Sequence, residues 1–200
     1  MTKSVKTLAL LTIITISALT SSAQLKLPLV NGVGPDIKKV LQDYPNQFNN
    51  LKGEILVQNP QSVDYACNFK VNGAEEATVT KYSSANKYEI SSWQAVMLTT
   101  DDFEEAKKRF KSLYGQLNNL SAKIDGGLYL HLKAKYETPT EERKFTSVIF
   151  DVDNGTTTLK KLKVELTMQY ELLEWKVKVL VYEKEREDHE KGDVDEIRTY

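Results

Sequence analysis

Two stretches of the chain repeat apolar residues at the three- and four-residue spacing of an amphipathic helix. Over residues 35–51 the apolar positions are Ile37, Leu41, Tyr44, Phe48 and Leu51. Over residues 102–120 they are Phe103, Ala106, Phe110, Leu113, Leu117 and Leu120. Because this spacing places each set on one face of a helix, we predict one helix over each range.

The ends of these two helices carry local signals. Pro35 suits the first helical turn, where its missing N–H is not needed. Pro45 should split the first helix near Tyr44, because a proline inside a helix removes a hydrogen bond and clashes with the preceding turn. In the second helix, Asp101 followed three residues later by Glu104 resembles a capping box, so we predict Asp101 as the cap.

Most of the remaining chain alternates apolar and polar residues, which is the pattern of half-buried strands. The predicted strands cover residues 53–58, 63–71, 76–82, 86–99, 123–136, 143–153, 159–170 and 174–183. A buried face opposite a wet face is typical of antiparallel hairpins. Asn72-Gly73 and Asn154-Gly155 are turn sequences that fit such hairpins.

Two blocks of sequence recur in the same order along the chain. The segment at 47–51 (QFNNL) recurs as QLNNL at 116–120. The pattern Tyr-Glu-[Ile/Leu]-x-x-Trp ends at Trp93 and again at Trp175, which is a longer offset than that of the first block. These recurrences predict two related halves, with a net insertion in the second. A chance likeness between amphipathic elements is the alternative.

These patterns predict an α+β fold built from a tandem duplicated unit. In each unit a helix precedes three or four antiparallel strands, and the helices pack on one face of the antiparallel sheet or sheets. The predicted segments are a first repeat over 24–100, a second repeat over 101–182 and a charged, flexible C-terminal tail over 183–200. We expect Trp93 and Trp175 to be buried against Phe48, Phe110 or Leu117.

Residues 1–23 have the three parts of a secretory signal peptide. Lys3 and Lys6 supply positive charge, residues 7–19 are apolar, and Ser21 and Ala23 fit the small-residue rule before a cleavage site. We predict cleavage after Ala23 and a secreted or periplasmic location; an uncleaved anchor or a buried helix is the alternative. Since a membrane-spanning helix needs about 20 apolar residues, we predict no transmembrane span in the mature chain.

Composition and charge narrow the function further. The chain has 27 Lys and Arg against 28 Asp and Glu, and 40% of its residues are apolar. That apolar content is enough for a core, and the near-zero net charge argues against a nucleic-acid partner. Cys67 is the single cysteine, so no intramolecular disulfide is possible and stability must come from burial.

Metal-binding and glycosylation signals are weak. The two histidines and Cys67 lack the close spacing of a zinc site. Asp151–Gly155 begins like a calcium loop, but Leu162 stands where the twelfth-position Glu belongs. We therefore predict no metal and no cofactor. Asn119 and Asn154 begin glycosylation sequons, which matter only in a host that glycosylates exported proteins.

The sequence offers one candidate for nucleophilic catalysis. Cys67 and His131 each lie two residues after a tyrosine, in strands that correspond if the halves are related. A contact between them would form a thiolate site. A lone cysteine in a strand is more often a small buried apolar residue, so we assign no catalytic residue.

The aromatic residues are candidates either for core packing or for a recognition surface. Those within predicted strands are Tyr82, Tyr88, Trp93, Tyr129, Tyr170, Trp175 and Tyr182. In its coarse architecture the prediction is similar to β-lactamase inhibitor proteins, secreted tandem α/β repeats that bind another protein, and this likeness implies recognition through the solvent face of a sheet.

We predict a non-catalytic binding or interaction protein. Its partner is expected to be a protein or a small apolar ligand, and the oligomeric state is left open. The alternatives are a hydrolase-type enzyme of unfamiliar class and a structural component of the cell envelope. Convergent acids in a pocket would favour the enzyme, whereas a broad exposed aromatic patch would favour the interaction protein.

Overall fold

The computed structural model describes residues 32–83, 90–124, 127–153, 159 and 161–183. The helices are α1 (Gly34–Asp43) and α2 (Phe103–Leu117), and two 3₁₀ turns cover Tyr44–Asn46 and Asn49–Leu51. The strands are β1 (Lys52–Gln58), β2 (Ser62–Cys67), β3 (Glu76–Tyr82), β4 (Ile90–Thr100), β5 (Ser121–Lys123), β6 (Tyr129–Lys133), β7 (Phe145–Asp153), β8 (Leu162–Glu171) and β9 (Glu174–Glu183). The predicted signal peptide, the Asn154-Gly155 turn and residues 184–200 of the predicted tail lie outside the described residues.

All nine strands of the described residues form one antiparallel sheet in the order β1-β2-β3-β4-β9-β8-β7-β6-β5. Strands account for 49% of the described structure and helices for 23%. The predicted α+β class, with helices packed on a sheet, is therefore wrong: the fold is largely sheet, with two short helices. The helical share is small partly because α1 ends just before Pro45, as the proline predicted, and 3₁₀ turns follow instead of further α-helix.

The second half contains one strand more than the first. The single strand predicted over 123–136 is two strands, β5 and β6, which pair with each other in antiparallel register. Gly127 has a φ of 82°, a conformation that favours glycine, and follows Asp125-Gly126 in the sequence. The Asp-Gly-Gly sequence is a turn signal, but our prediction followed the alternation of apolar and polar residues on either side of it and missed the turn.

The helix faces predicted from the apolar spacing are confirmed. Ile37, Leu41 and Phe48 are buried in the first segment, and Phe110 and Leu117 are buried in α2. The predicted cap is displaced by one residue, because it is the side chain of Asp102 that accepts hydrogen bonds from the Glu104 and Glu105 N–H groups. This satisfies two of the N–H groups that a helix leaves unpaired at its start.

Both tryptophans are buried, as predicted, in one core that draws on both halves of the chain. Trp175 packs its ring against Phe103 at 5.2 Å and Tyr170 at 5.0 Å between ring centroids. These two neighbours were not among the expected partners. Trp93, Phe48 and the remaining predicted partners belong to the same cluster of buried residues.

The central strands β4 and β9 hold the two tryptophans in related positions. Trp93 lies opposite Val181, and Trp175 lies opposite Thr100. If the two halves were related by an exact two-fold axis, the pairing of Trp93 with Val181 would place Trp175 opposite Thr99. The observed partner is one residue further along, and one register shift in β4 accounts for that difference. The geometry agrees with a duplication, which stays a prediction together with the repeat boundaries.

Helix α1 lies against edge strand β5 and leads into edge strand β1. Gln42 Nε2 donates to the carbonyl oxygen of Lys123, the last residue of β5, at 3.2 Å. The next residue, Asp43, accepts from the N–H of Asn50 at 3.0 Å, within the turns that connect α1 to β1. Among the described residues, no helix has both the length and the apolar content needed to cross a membrane.

Candidate interaction site

The structure does not bring Cys67 and His131 together. Their strands, β2 and β6, have five other strands between them in the sheet. Cys67 is partly buried against the core, whereas His131 is exposed and hydrogen-bonded through Nδ1 to Ser121 Oγ at 2.7 Å. The candidate thiolate site therefore has no geometric basis.

A cleft with a volume of about 850 Å³ lies between the end of α1 and β5. Its buried carboxylate, Asp43, accepts hydrogen bonds from Asn46 Nδ2 and from both the N–H and the Nδ2 of Asn50. These donors occupy the carboxylate oxygens and fix the turn that leads into β1. No group of three or more His, Cys, Asp or Glu side chains within the described ranges is arranged to hold a metal.

The outer face of the central strands carries a small polar network. Tyr182 donates to Glu165 at 2.9 Å, and Ser147 Oγ donates to the same carboxylate. Burial, followed by the hydrogen bond to Glu165, raises the pKa of Tyr182 to about 12, so the phenol stays protonated. The neutral phenol of Tyr182 and the hydroxyl of Ser147 therefore both donate to the Glu165 carboxylate. Together these hydrogen bonds link three neighbouring strands.

The aromatic residues that the structure describes do not form a broad exposed patch of the kind that would favour an interaction surface. Tyr82 and Tyr129 are exposed, but they lie on β3 and β6, with four strands between them. Trp175 belongs to the core, and Tyr170 is partly buried and packs against it. Tyr88 lies outside the described residues. Core packing therefore explains the central aromatic residues better than recognition does.

The hairpin between β8 and β9 presents the most exposed large apolar side chains described. Leu172 and Leu173 form its two-residue turn and are 88% and 78% exposed. Their φ angles are 52° and 72°, so both have the left-handed backbone of a type I′ turn. Asn-Gly is the usual sequence there, because glycine has no Cβ and the short polar side chain of asparagine can hydrogen-bond locally, whereas leucine has neither advantage.

Folding alone does not account for this pair of leucines. Non-glycine residues held in the left-handed region cost on the order of 1–3 kcal/mol each. The side chains gain almost no burial in return, because most of their surface remains in water. An observed backbone outlier with exposed apolar side chains is a reason to look for a function at that position.

The base of the hairpin is rigid. Strands β8 and β9 pair along their full length with no register shift. Lys144 Nζ lies over the rings of Tyr170 and Trp175, at 4.5 and 5.3 Å from their centroids. The structure therefore projects the two leucines from a fixed support, which lowers the ordering cost of a contact made there.

Acidic residues flank the two leucines, and lysines lie close to them. Glu171 and Glu174 border the turn directly, and Glu171 Oε2 lies 3.4 Å from Lys178 Nζ and 3.5 Å from Lys176 Nζ. At the same end of the sheet, Asp101 and Asp102 follow β4 and are exposed. An apolar tip bordered by charges of both signs is suited to a surface that offers an apolar pocket with complementary charged groups.

Sequence analysis missed this site although the signal was present. The segment Glu171–Glu174 reads Glu-Leu-Leu-Glu between two alternating strands, so its leucines occupy the place of turn residues. The chain matches none of the protein-family models, curated proteins or solved structures with which it was compared.

Proposed function

We propose that this protein is an exported, non-catalytic interaction protein that binds a partner protein through the Leu172–Leu173 hairpin tip. The observation that carries the proposal is the pair of leucines held in left-handed backbone and exposed to water. Export is supported by the signal-peptide pattern of residues 1–23, with cleavage after Ala23.

The partner we propose has an apolar pocket that receives the two leucines. Burying one leucine side chain contributes about 1.5–3 kcal/mol, so two that enter a pocket would contribute about 3–6 kcal/mol before ordering costs. A few buried anchors of this kind dominate most interfaces.

Photo-crosslinking at the tip tests the interaction directly. A photoreactive amino acid at position 173, expressed in the native host, should give a discrete crosslinked species. The same residue at position 149 is the control, because Ile149 is also exposed but lies on β7. No crosslinked species at position 173, or equal crosslinking at both positions, would contradict the proposal.

Intact-mass analysis of the protein from its native host tests export. The mature chain should begin at Gln24, or at its cyclised form. A mature protein that still begins at Met1 would overturn this part of the proposal without affecting the hairpin contact.

A further inference from the structure

The side chain of Lys144 occupies a wedge between two aromatic rings at the base of the β8–β9 hairpin. Its Nζ lies 4.5 Å from the ring centroid of Tyr170 and 5.3 Å from that of Trp175. The centroids of the two rings are 5.0 Å apart, and the ring planes are inclined at 53° to each other. At these distances an ammonium group is attracted by the negative potential of the ring faces.

The fold positions the two rings of this wedge independently of the lysine side chain. Tyr170 lies directly opposite Trp175 in the pairing of β8 with β9. On the β7 side, the N–H of Tyr170 donates to the backbone carbonyl oxygen of Lys144 at 2.8 Å. Phe103 of α2 packs against Trp175 with a centroid distance of 5.2 Å. Backbone pairing and core packing therefore preform the wedge.

No carboxylate neutralises the Lys144 ammonium within the part of the chain that the structure describes, where its contacts are the two rings. Lys163, Lys176 and Lys178 differ in this respect, because each lies within 4.0 Å of a carboxylate oxygen. The wedge therefore selects a positive charge through its aromatic faces.

Lys144 is held weakly enough to leave the wedge. The residue is exposed, whereas Trp175 is only 2% exposed, so the lysine lies on the solvent side of the rings. At an exposed site a cation–π contact favours the bound side chain by only about two- to five-fold. The primary ammonium of lysine is also strongly hydrated. A methylated ammonium, which has fewer N–H groups to strip of water, can therefore compete with it.

We propose that the wedge between Tyr170 and Trp175 binds a ligand that carries a trimethylammonium group, and that Lys144 occupies the site as an internal competitor. The trimethylammonium group takes the place of Nζ between the rings, and the lysine side chain turns into solvent. Free choline and the choline headgroup of a lipid share this chemistry. The site does not rest on the contact proposed for the tip of the hairpin.

Titration with choline at constant ionic strength, followed by tryptophan fluorescence, tests the site. The wild type should bind with a Kd on the order of 10 mM, because the ligand has few atoms. The neutral isostere of choline, in which carbon replaces the charged nitrogen, should bind about two- to five-fold more weakly. Lys144→Ala should bind choline about three- to six-fold more tightly than the wild type, because the internal competitor is gone. The control Lys133→Ala removes an exposed charge on β6 and should behave as the wild type. No response of Lys144→Ala to choline, or equal binding of choline and its isostere, would overturn the proposal.

A ring variant tests whether the wedge itself is the site. Compared with Lys144→Ala, the double variant Lys144→Ala/Tyr170→Leu keeps an apolar side chain at a partly buried position but lacks one ring. It should bind choline about two- to five-fold more weakly, with the circular dichroism of the folded protein. An unchanged affinity would contradict the proposal. Phosphatidylcholine vesicles then identify the source of the group: co-sedimentation of Lys144→Ala with them assigns the site to a lipid headgroup, and binding of free choline alone assigns it to a soluble ligand.

Discussion

The two edges of the sheet differ in length and in cover. Strand β5 has three residues, and its last carbonyl oxygen accepts a hydrogen bond from Gln42 of α1. Strand β1 has seven residues and is exposed over six of them. The comparison teaches that a helix covers one edge of the sheet, while the other edge is exposed to solvent and interrupted by two register shifts.

The two ends of the sheet also differ in how deeply their leucine side chains are buried. Next to β5, Leu130 and Leu132 of β6 are completely buried. In β1 itself, Leu56 is about half exposed, although the residues on either side of it are apolar. Position in the sheet, and not residue type, therefore decides what each leucine contributes to folding.

The largest expected effect comes from a residue of the core that lies between the two edges. Trp175→Ala should lower the free energy of unfolding by about 3–5 kcal/mol, because it removes a large buried side chain from the one core. Urea unfolding measures the loss. Hydrogen exchange should show that backbone amides of β2 and β6 lose protection together. If only one edge lost protection, the halves would be separate folding units.

A matched pair of leucine variants tests the difference between the edges directly. Leu132→Ala should cost about 2–5 kcal/mol, because it leaves a cavity behind the closed edge. Leu56→Ala should lower the free energy of unfolding by less than about 1 kcal/mol, because about half of that residue is already exposed to water. Similar losses in urea unfolding of the two variants would show that β1 is covered in solution.

A pair of glycine variants tests how β1 is held. At Gly53 a Cβ atom would lie 2.9 Å from the backbone oxygen of Ala66 on β2, so Gly53→Ala should cost about 1–3 kcal/mol. Gly115→Ala in α2 meets no atom within 4 Å and should stabilise by about 1 kcal/mol. Thermal unfolding measures both. A neutral Gly53→Ala would mean that the pairing of β1 with β2 adjusts freely.

Local features of the fold could be predicted from the sequence. Apolar spacing identified the buried faces of both helices, Pro45 located the end of α1, and alternation indicated the burial of Trp175. These properties depend on residues within a few positions of one another. The apolar run in β1 gave no indication that it would lie at an edge.

The order of strands and the site depend on contacts between distant residues. The pairing of β4 with β9 joins positions from the two halves of the chain, such as Trp93 and Val181, which no local pattern specifies. Strand β5 was missed because alternation continued across the Asp125-Gly126 turn signal. The predicted strands left residues 171–173 as their connection, and the register of β8 and β9 narrows it to a two-residue turn that exposes Leu172 and Leu173.

The measurement that tests the central claim most directly is the free energy of unfolding of the Leu172→Asn/Leu173→Gly double variant. The account holds that the leucines are kept for contact and at a cost to folding. Asn-Gly is the preferred sequence of a type I′ turn, so the variant should be more stable than the wild type by about 1 kcal/mol or more in urea unfolding. A variant less stable than the wild type would show that the leucines serve the fold and would contradict the account.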